Sequence, residues 1–293
     1  MKNNISRRDF IRTTAGVAAG VASTGGLLIA PGCKKENMSF AIPMGVMNTL
    51  GASSYTATMQ EYNYSQNQEW TSWVKDSGAD IRDAVQRHEG SRVDNFAWDF
   101  ELLADNTVNA WCMPGARIAF YEGIMPLCDN PDGVAMVMGH EVAHAVRNHG
   151  GQRMAQQLTV QLGITALSAA LSRLANPDDT VQQIALAVFG VGGQVGGQLL
   201  LLHYSREHEY EADKLGMIYA ARAGYDPREA PKFWERMMDR FGGGGSDFLS
   251  THPSDENRIA ELNKEMPEAV RIFENRIAAM EAAIPEVMKY YKT

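Results

Sequence analysis

The segment His140-Glu141-Val142-Ala143-His144 sets two histidines four residues apart, with a glutamate directly after the first. On an α-helix, positions i and i+4 share a face one turn apart, so both imidazoles are directed at one point. The flanking Val134, Ala135, Val137, Met138, Val142, Ala143 and Val146 make such a helix apolar on most of its surface. Burial of two histidines and a glutamate demands partners for their polar atoms, and a metal ion supplies one. The pattern is that of a zinc-binding helix, with His140 and His144 as ligands and Glu141 as general base for an attacking water. Asn130 is the expected N-cap, Pro131 the first helical residue and Asp132 a complement to the helix dipole. Gly150-Gly151 is expected to close the helix.

A catalytic zinc takes three protein ligands and keeps one position open. His149 lies five residues beyond His144, about 140° round an ideal helix, and reads as a helix-end or surface histidine. A metzincin-type third histidine is excluded, because Gly150 stands ten residues after His140 and Arg147 occupies the required glycine position. The better source is Ser205-Arg206-Glu207-His208-Glu209-Tyr210-Glu211-Ala212-Asp213. Glu209 is expected as the third ligand. Asp213, one turn on, is expected to accept the free N–H of a ligand histidine and fix its tautomer. His208 is a rival ligand, and Glu211 reads as a surface charge.

Outward from these helices, residues 56–89 carry Trp70, Trp73, Val74, Ile81 and Val85 at helical spacing. Phe96–Leu103 alternates apolar and polar residues as a strand does, and Thr107–Met113 and Ala116–Tyr121 read as two more. Further helices are expected over 152–175, 181–217, 226–240 and 255–291, with turns at Asn176–Asp179 and Gly242–Gly245. The apolar runs 158–172 and 184–202 are broken by Gln161, Ser168, Gln194, Gln198 and glycines. They read as helices packed in a core or lining a cleft rather than membrane spans, and the sequence leaves open whether 152–204 form a lid. The expected class is α+β: a mainly helical zincin-like domain with a small antiparallel sheet beside the histidine helix.

The chain's 293 residues carry a net charge of −8, with no basic footprint for nucleic acid. Lys2, Arg7, Arg8 and Arg12 precede the uncharged stretch Thr13–Gly32, and Ser6-Arg7-Arg8-Asp9-Phe10-Ile11 looks like a twin-arginine export signal. Ala30-Pro31-Gly32-Cys33 resembles a lipobox, although Pro31 and Ala30 depart from its usual form. The expected organisation is a signal peptide over 1–32, a lipidated Cys33 and tether over 33–55, and the catalytic domain over 56–293. By resemblance to bacterial lipoproteins, Lys34-Lys35 points to the outer membrane, so the protein would be exported, periplasmic and lipid-anchored without spanning. Cys112 and Cys128 are the other two cysteines, and a disulfide or two buried thiols are equally compatible with their spacing.

Three separated motifs resemble peptidase family M48, a gluzincin family: the His140–His144 helix, Glu209-Tyr210-Glu211-Ala212-Asp213, and Thr251-His252-Pro253-Ser254. Asn109-Ala110-Trp111-Cys112-Met113-Pro114-Gly115 also matches the family segment before the metal helix, with Ala116 in place of a usual second glycine. The resemblance spans about residues 56–265, and chain length and export signal fit the small periplasmic members. It implies one zinc held by His140, His144 and Glu209, with Glu141 as base and proton shuttle. It implies a second catalytic role for His252, which either stabilises the oxyanion or occupies the open zinc position in a latent state. Arg258 is implied to be structural, and the strand near 116–121 is implied to be an edge that pairs with extended substrate. The implied task is cleavage of unfolded or misassembled envelope proteins, with outer-membrane assembly machinery as a partner. The alternative is an envelope chaperone with a latent zinc site.

Overall fold

The computed structural model describes residues 41–162, 204–242, 245–252 and 257–290. At its centre lies helix α4 (Pro131–Val146). Helix α1 (Met44–Met59), helix α2 (Gln68–Glu89) and the short α3 (Met125–Cys128) precede it in the chain. Strands β1 (Asp99–Leu103), β2 (Ala110–Met113) and β3 (Arg117–Tyr121) lie between α2 and α3. After α4 come α5 (His149–Leu162), α6 (Arg206–Ala223), α7 (Glu229–Phe241), α8 (Asp247–Thr251) and α9 (Arg258–Tyr290).

The start of α4 follows its sequence signals: the Asn130 side chain accepts the Gly133 N–H, and Pro131 takes the first turn. Its end does not. The helix stops after Val146, Asn148 adopts φ 53°, and α5 begins at His149 with Gly150 and Gly151 inside its first turn. The corner therefore precedes the glycines expected to make it.

Helices α4 and α6 cross at two glycines. A Cβ on Gly139 would lie 2.5 Å from the Gly216 carbonyl oxygen, and one on Gly216 would lie 2.6 Å from the His140 nitrogen. No other residue lets two backbones approach this closely. Gly216 is three residues after Asp213 and seven after Glu209, so all three share a face of α6. The glycine contact therefore sets both carboxylates against His140.

The three strands are ordered β1-β3-β2, with β2 and β3 antiparallel but β1 and β3 parallel. The sheet is mixed rather than antiparallel, and β3 is its central strand rather than an edge. The tight turn Pro114-Gly115-Ala116 folds β2 onto β3, which leaves β1 to pair on β3's far side. Residues 63–65 cover the outer edge of β1: Ser65 N–H donates to Leu102 O, and Ala104 N–H to Asn63 O. The edge next to α4 is β2.

Residues 44–55, expected as part of a tether, lie in α1. Its Met47 and Leu50 are buried, and Gly51 lets the helix settle on the Pro114 carbonyl. Cys33 and residues 1–32 lie outside the described residues, as does 163–203, which holds most of the two apolar runs. Among the described residues no helix is long and apolar enough to cross a membrane. Cys112 and Cys128 are separate thiols.

Candidate metal centre

His140, His144, Glu209 and His252 are all buried, and their donor atoms lie within 4.8 Å of one another. His140 Nε2 is 3.0 Å from His144 Nε2 and 3.5 Å from a Glu209 carboxylate oxygen, and His144 Nε2 is 3.4 Å from the other. His252 Nδ1 closes the figure at 3.1 Å from both His140 Nε2 and Glu209 Oε1. Zinc–ligand bonds of about 2.0–2.2 Å place tetrahedral donors about 3.3 Å apart, so the spacing fits one zinc ion.

The charges agree with the spacing. Burial alone would lower the pKa of His140, but its contacts with Asp213 and Glu209 prevail and raise it to about 9. Burial opposes ionisation of Glu209 too, yet the charges of His252 and Arg258 hold its carboxyl well below the usual range. Burial keeps His144 neutral, with its pKa well below the ordinary value. The centre thus combines an ionised carboxylate with a neutral imidazole, donor types that zinc takes. His140, His144 and Glu209 could hold zinc, with His252 at the fourth corner.

Asp213 lies beside His140. Its Oδ1 lies 2.9 Å from His140 Nδ1, so the ring proton is held there and Nε2 faces the centre. Arg258 does more than fill space. Its guanidinium grips Asp213 at 2.7 and 2.8 Å, reaches Glu209 Oε2 at 2.7 Å, and stacks 3.6 Å above the Trp234 ring.

Glu141 is buried, and burial raises its pKa. One carboxylate oxygen lies 3.2 Å from His252 Nε2, and the group accepts the backbone N–H of Cys112 on β2. Tyr121 N–H donates to Asn109 O, so in the antiparallel ladder Trp111 and Met113 turn their backbone groups to β3. Val108, Ala110 and Cys112 turn theirs outward. Val108 O accepts Phe248 N–H, Cys112 N–H serves Glu141, and Ala110 lies between them on the open edge. The edge beside the site is therefore β2, not the 116–121 strand.

His149 stands at a helix end, one of its two expected positions, but not at the surface. It is fully buried, with Nδ1 3.0 Å from His144 Nδ1 and Nε2 3.2 Å from Glu211 Oε2. The break at Asn148 invalidates the 140° reckoning and folds His149 back beneath His144. Glu211 faces this histidine and also pairs with Arg147 at 3.0 Å. His208, the rival ligand, stacks on His149 and points Nε2 at Gln152, away from the centre. Tyr204 stacks on the His144 ring at 3.8 Å between centroids, and no sequence pattern marks it.

A helix-borne pair of histidines, a carboxylate from a second helix and a flanking edge strand define a zincin-like metallopeptidase domain. The family model of peptidase family M48 matches residues 39–266, and the chain belongs to that family. It is 34% identical to the mitochondrial metalloendopeptidase OMA1 of Schizosaccharomyces pombe over 181 residues, 61% of this chain and 50% of that one. It is 31% identical to OMA1 of Arabidopsis thaliana over 234 residues, 78% of this chain and 44% of the other. The beta-barrel assembly-enhancing protease of Escherichia coli is 29% identical over 166 residues, 55% of this chain and 33% of the other. The chain thus spans about half, or less, of the length of these relatives.

Proposed function

We propose that the protein is a zinc-dependent endopeptidase that cleaves extended, unfolded polypeptide. The observation that carries this reading is the tetrahedral donor spacing of His140, His144 and Glu209 with buried Glu141 and the β2 edge beside it. In this assignment the two histidines and Glu209 hold zinc, Asp213 fixes the His140 tautomer, and Glu141 takes the proton of the attacking water and passes it to the leaving amine. Zinc, when bound, supplies Lewis-acid polarisation of the scissile carbonyl. An extended substrate adds antiparallel to β2 through the outward backbone groups of Ala110.

His252 takes one of two roles. At the fourth corner it completes the tetrahedron and closes the site. Displaced from there, it becomes a donor for the developing oxyanion. The short distances from His252 to Glu209 and Glu141 favour the closed arrangement as the resting one.

The proposed setting is export through the twin-arginine-like head, a lipid anchor at Cys33 and, by the family resemblance, misassembled outer-membrane proteins as substrates. The likeness to a beta-barrel assembly-enhancing protease supports this setting. The test is cleavage of casein and of an unfolded outer-membrane protein by wild type and Glu141→Gln. Zinc-dependent cleavage by wild type alone is expected. Equal cleavage by both would refute the role of Glu141 as base, and cleavage by neither would leave the chaperone reading.

A further inference from the structure

Each imidazole proposed to hold zinc through Nε2 must carry its proton on Nδ1 and give it to an acceptor. His140 has Asp213, a carboxylate that can only accept. His144 faces another imidazole, His149, with the two Nδ1 atoms 3.0 Å apart. Two N–H groups cannot point at each other across this gap, so one Nδ1 must be bare. The other side of His149 decides which one. Its Nε2 faces Glu211 Oε2 at 3.2 Å, on a carboxylate whose other oxygen is paired with Arg147 and which serves here as the acceptor. His149 therefore carries its proton on Nε2 and presents a lone pair at Nδ1. His144 donates into that lone pair, and its own Nε2 is left bare toward the centre.

From this we infer that His149 and Glu211 are positioning residues for the zinc site: a two-step relay that fixes the tautomer and ring direction of His144, as Asp213 does for His140. The inference rests on the assignment of His144 as a zinc ligand. Stacking holds both rings of the relay in plane. Tyr204 lies on His144 with 25° between planes, and His208 lies 4.3 Å from His149 with 18° between planes. Arg147, 3.0 Å from Glu211 Oε1, aims the carboxylate at the histidine. The two zinc-binding histidines thus have unlike supports. His140 leans on a buried carboxylate. His144 leans on a neutral ring whose carboxylate is 47% exposed at the domain surface.

The exposure of Glu211 makes the relay testable without disturbing the core. Zinc affinity is measured by competition with a chromophoric chelator, and the thermal midpoint is measured on metal-free protein. Glu211→Ala is expected to weaken zinc binding about tenfold, and His149→Phe about ten- to a hundredfold, the range typical of lost supports to metal ligands. Glu211→Gln keeps an acceptor oxygen and is expected to stay nearer wild type. The metal-free midpoint of Glu211→Ala is expected to be unchanged, which a purely structural role would not give. Imidazole ¹⁵N spectra of the zinc-loaded wild type are expected to show His149 as the Nε2–H tautomer. Unchanged zinc affinity in Glu211→Ala, or an Nδ1–H tautomer for His149, would overturn the relay. Should His149→Phe fail to fold, Glu211→Ala and the spectrum decide alone. Absence of stoichiometric zinc from the wild type would instead overturn the metal site itself, and the relay with it.

Discussion

Replacing Arg258 with methionine tests whether the electrostatics of the centre are built into the fold or supplied by the metal. The side chain is buried, and its guanidinium makes a fork with Asp213 and a third contact with Glu209. Methionine fills much of the same space over Trp234 but leaves two buried carboxylates without their cation. Removing one partner of a buried ion pair costs about 3–5 kcal/mol, because the remaining charge stays desolvated. For a domain of this size each kcal/mol lowers the melting midpoint by about 2–4 °C, so a fall of roughly 6–20 °C is expected for metal-free protein. Saturating zinc should recover part of the loss, about 2.7 kcal/mol at a hundredfold excess over the dissociation constant. Full recovery is not expected, since Asp213 keeps His140 but lacks its guanidinium partner. The measurement is paired thermal and urea unfolding of wild type and variant, with and without zinc. A metal-free loss below about 1 kcal/mol would show that the carboxylates do not depend on Arg258, and the account of the centre would be wrong.

Other outcomes follow from the same geometry. Glu141→Gln should lower kcat by about 10²–10⁴-fold, the usual share of a general base, with zinc content retained; loss of zinc would make Glu141 a ligand instead. Asp213→Asn should weaken zinc binding about ten- to a hundredfold, and an unchanged affinity in chelator competition would remove its tautomer-fixing role. Gly216→Ala pushes a Cβ against the His140 backbone, so a loss of about 1–3 kcal/mol from overpacking is expected, together with weaker zinc binding. A variant with wild-type melting would mean that the α4–α6 crossing is not tight. Chelation of zinc should lower the wild-type midpoint and zinc addition restore it, as for any ligand bound only by the folded state.

The parts of this site that the sequence disclosed are those that obey helical periodicity without interruption. His140 and His144, and Glu209 and Asp213, are each one turn apart on unbroken helices, so their shared faces could be counted. His149 could not be counted in this way. Its relation to His144 depends on the φ 53° of Asn148, which ends one helix and starts another within three residues. Gly150-Gly151 looked like the stop signal, but glycine also enters a helix where a neighbour crowds it: a Cβ on Gly151 would lie 2.4 Å from the Asn148 side chain. Alternation of apolar and polar residues located the three strands but carries no information on their order. The parallel pairing of β1 with β3, and hence the identity of the open edge, had to come from the structure. Helix α1 was missed over residues 44–55 because small and polar residues such as Gly51 and Ser54 are buried where a sequence reading expects a tether.

The glycine contact between α4 and α6 also restricts how the centre can change. Sliding α6 by one residue would carry its carboxylates about 1.5 Å along the axis and drive a neighbouring side chain into the α4 backbone. Axial translation is thus removed as a degree of freedom, and the three donors borne by these two helices form one rigid body. Among the described donors, His252, which follows α8, is the one these two helices do not carry, so a change in coordination falls to it. The centre divides into a fixed cradle and a single adjustable wall.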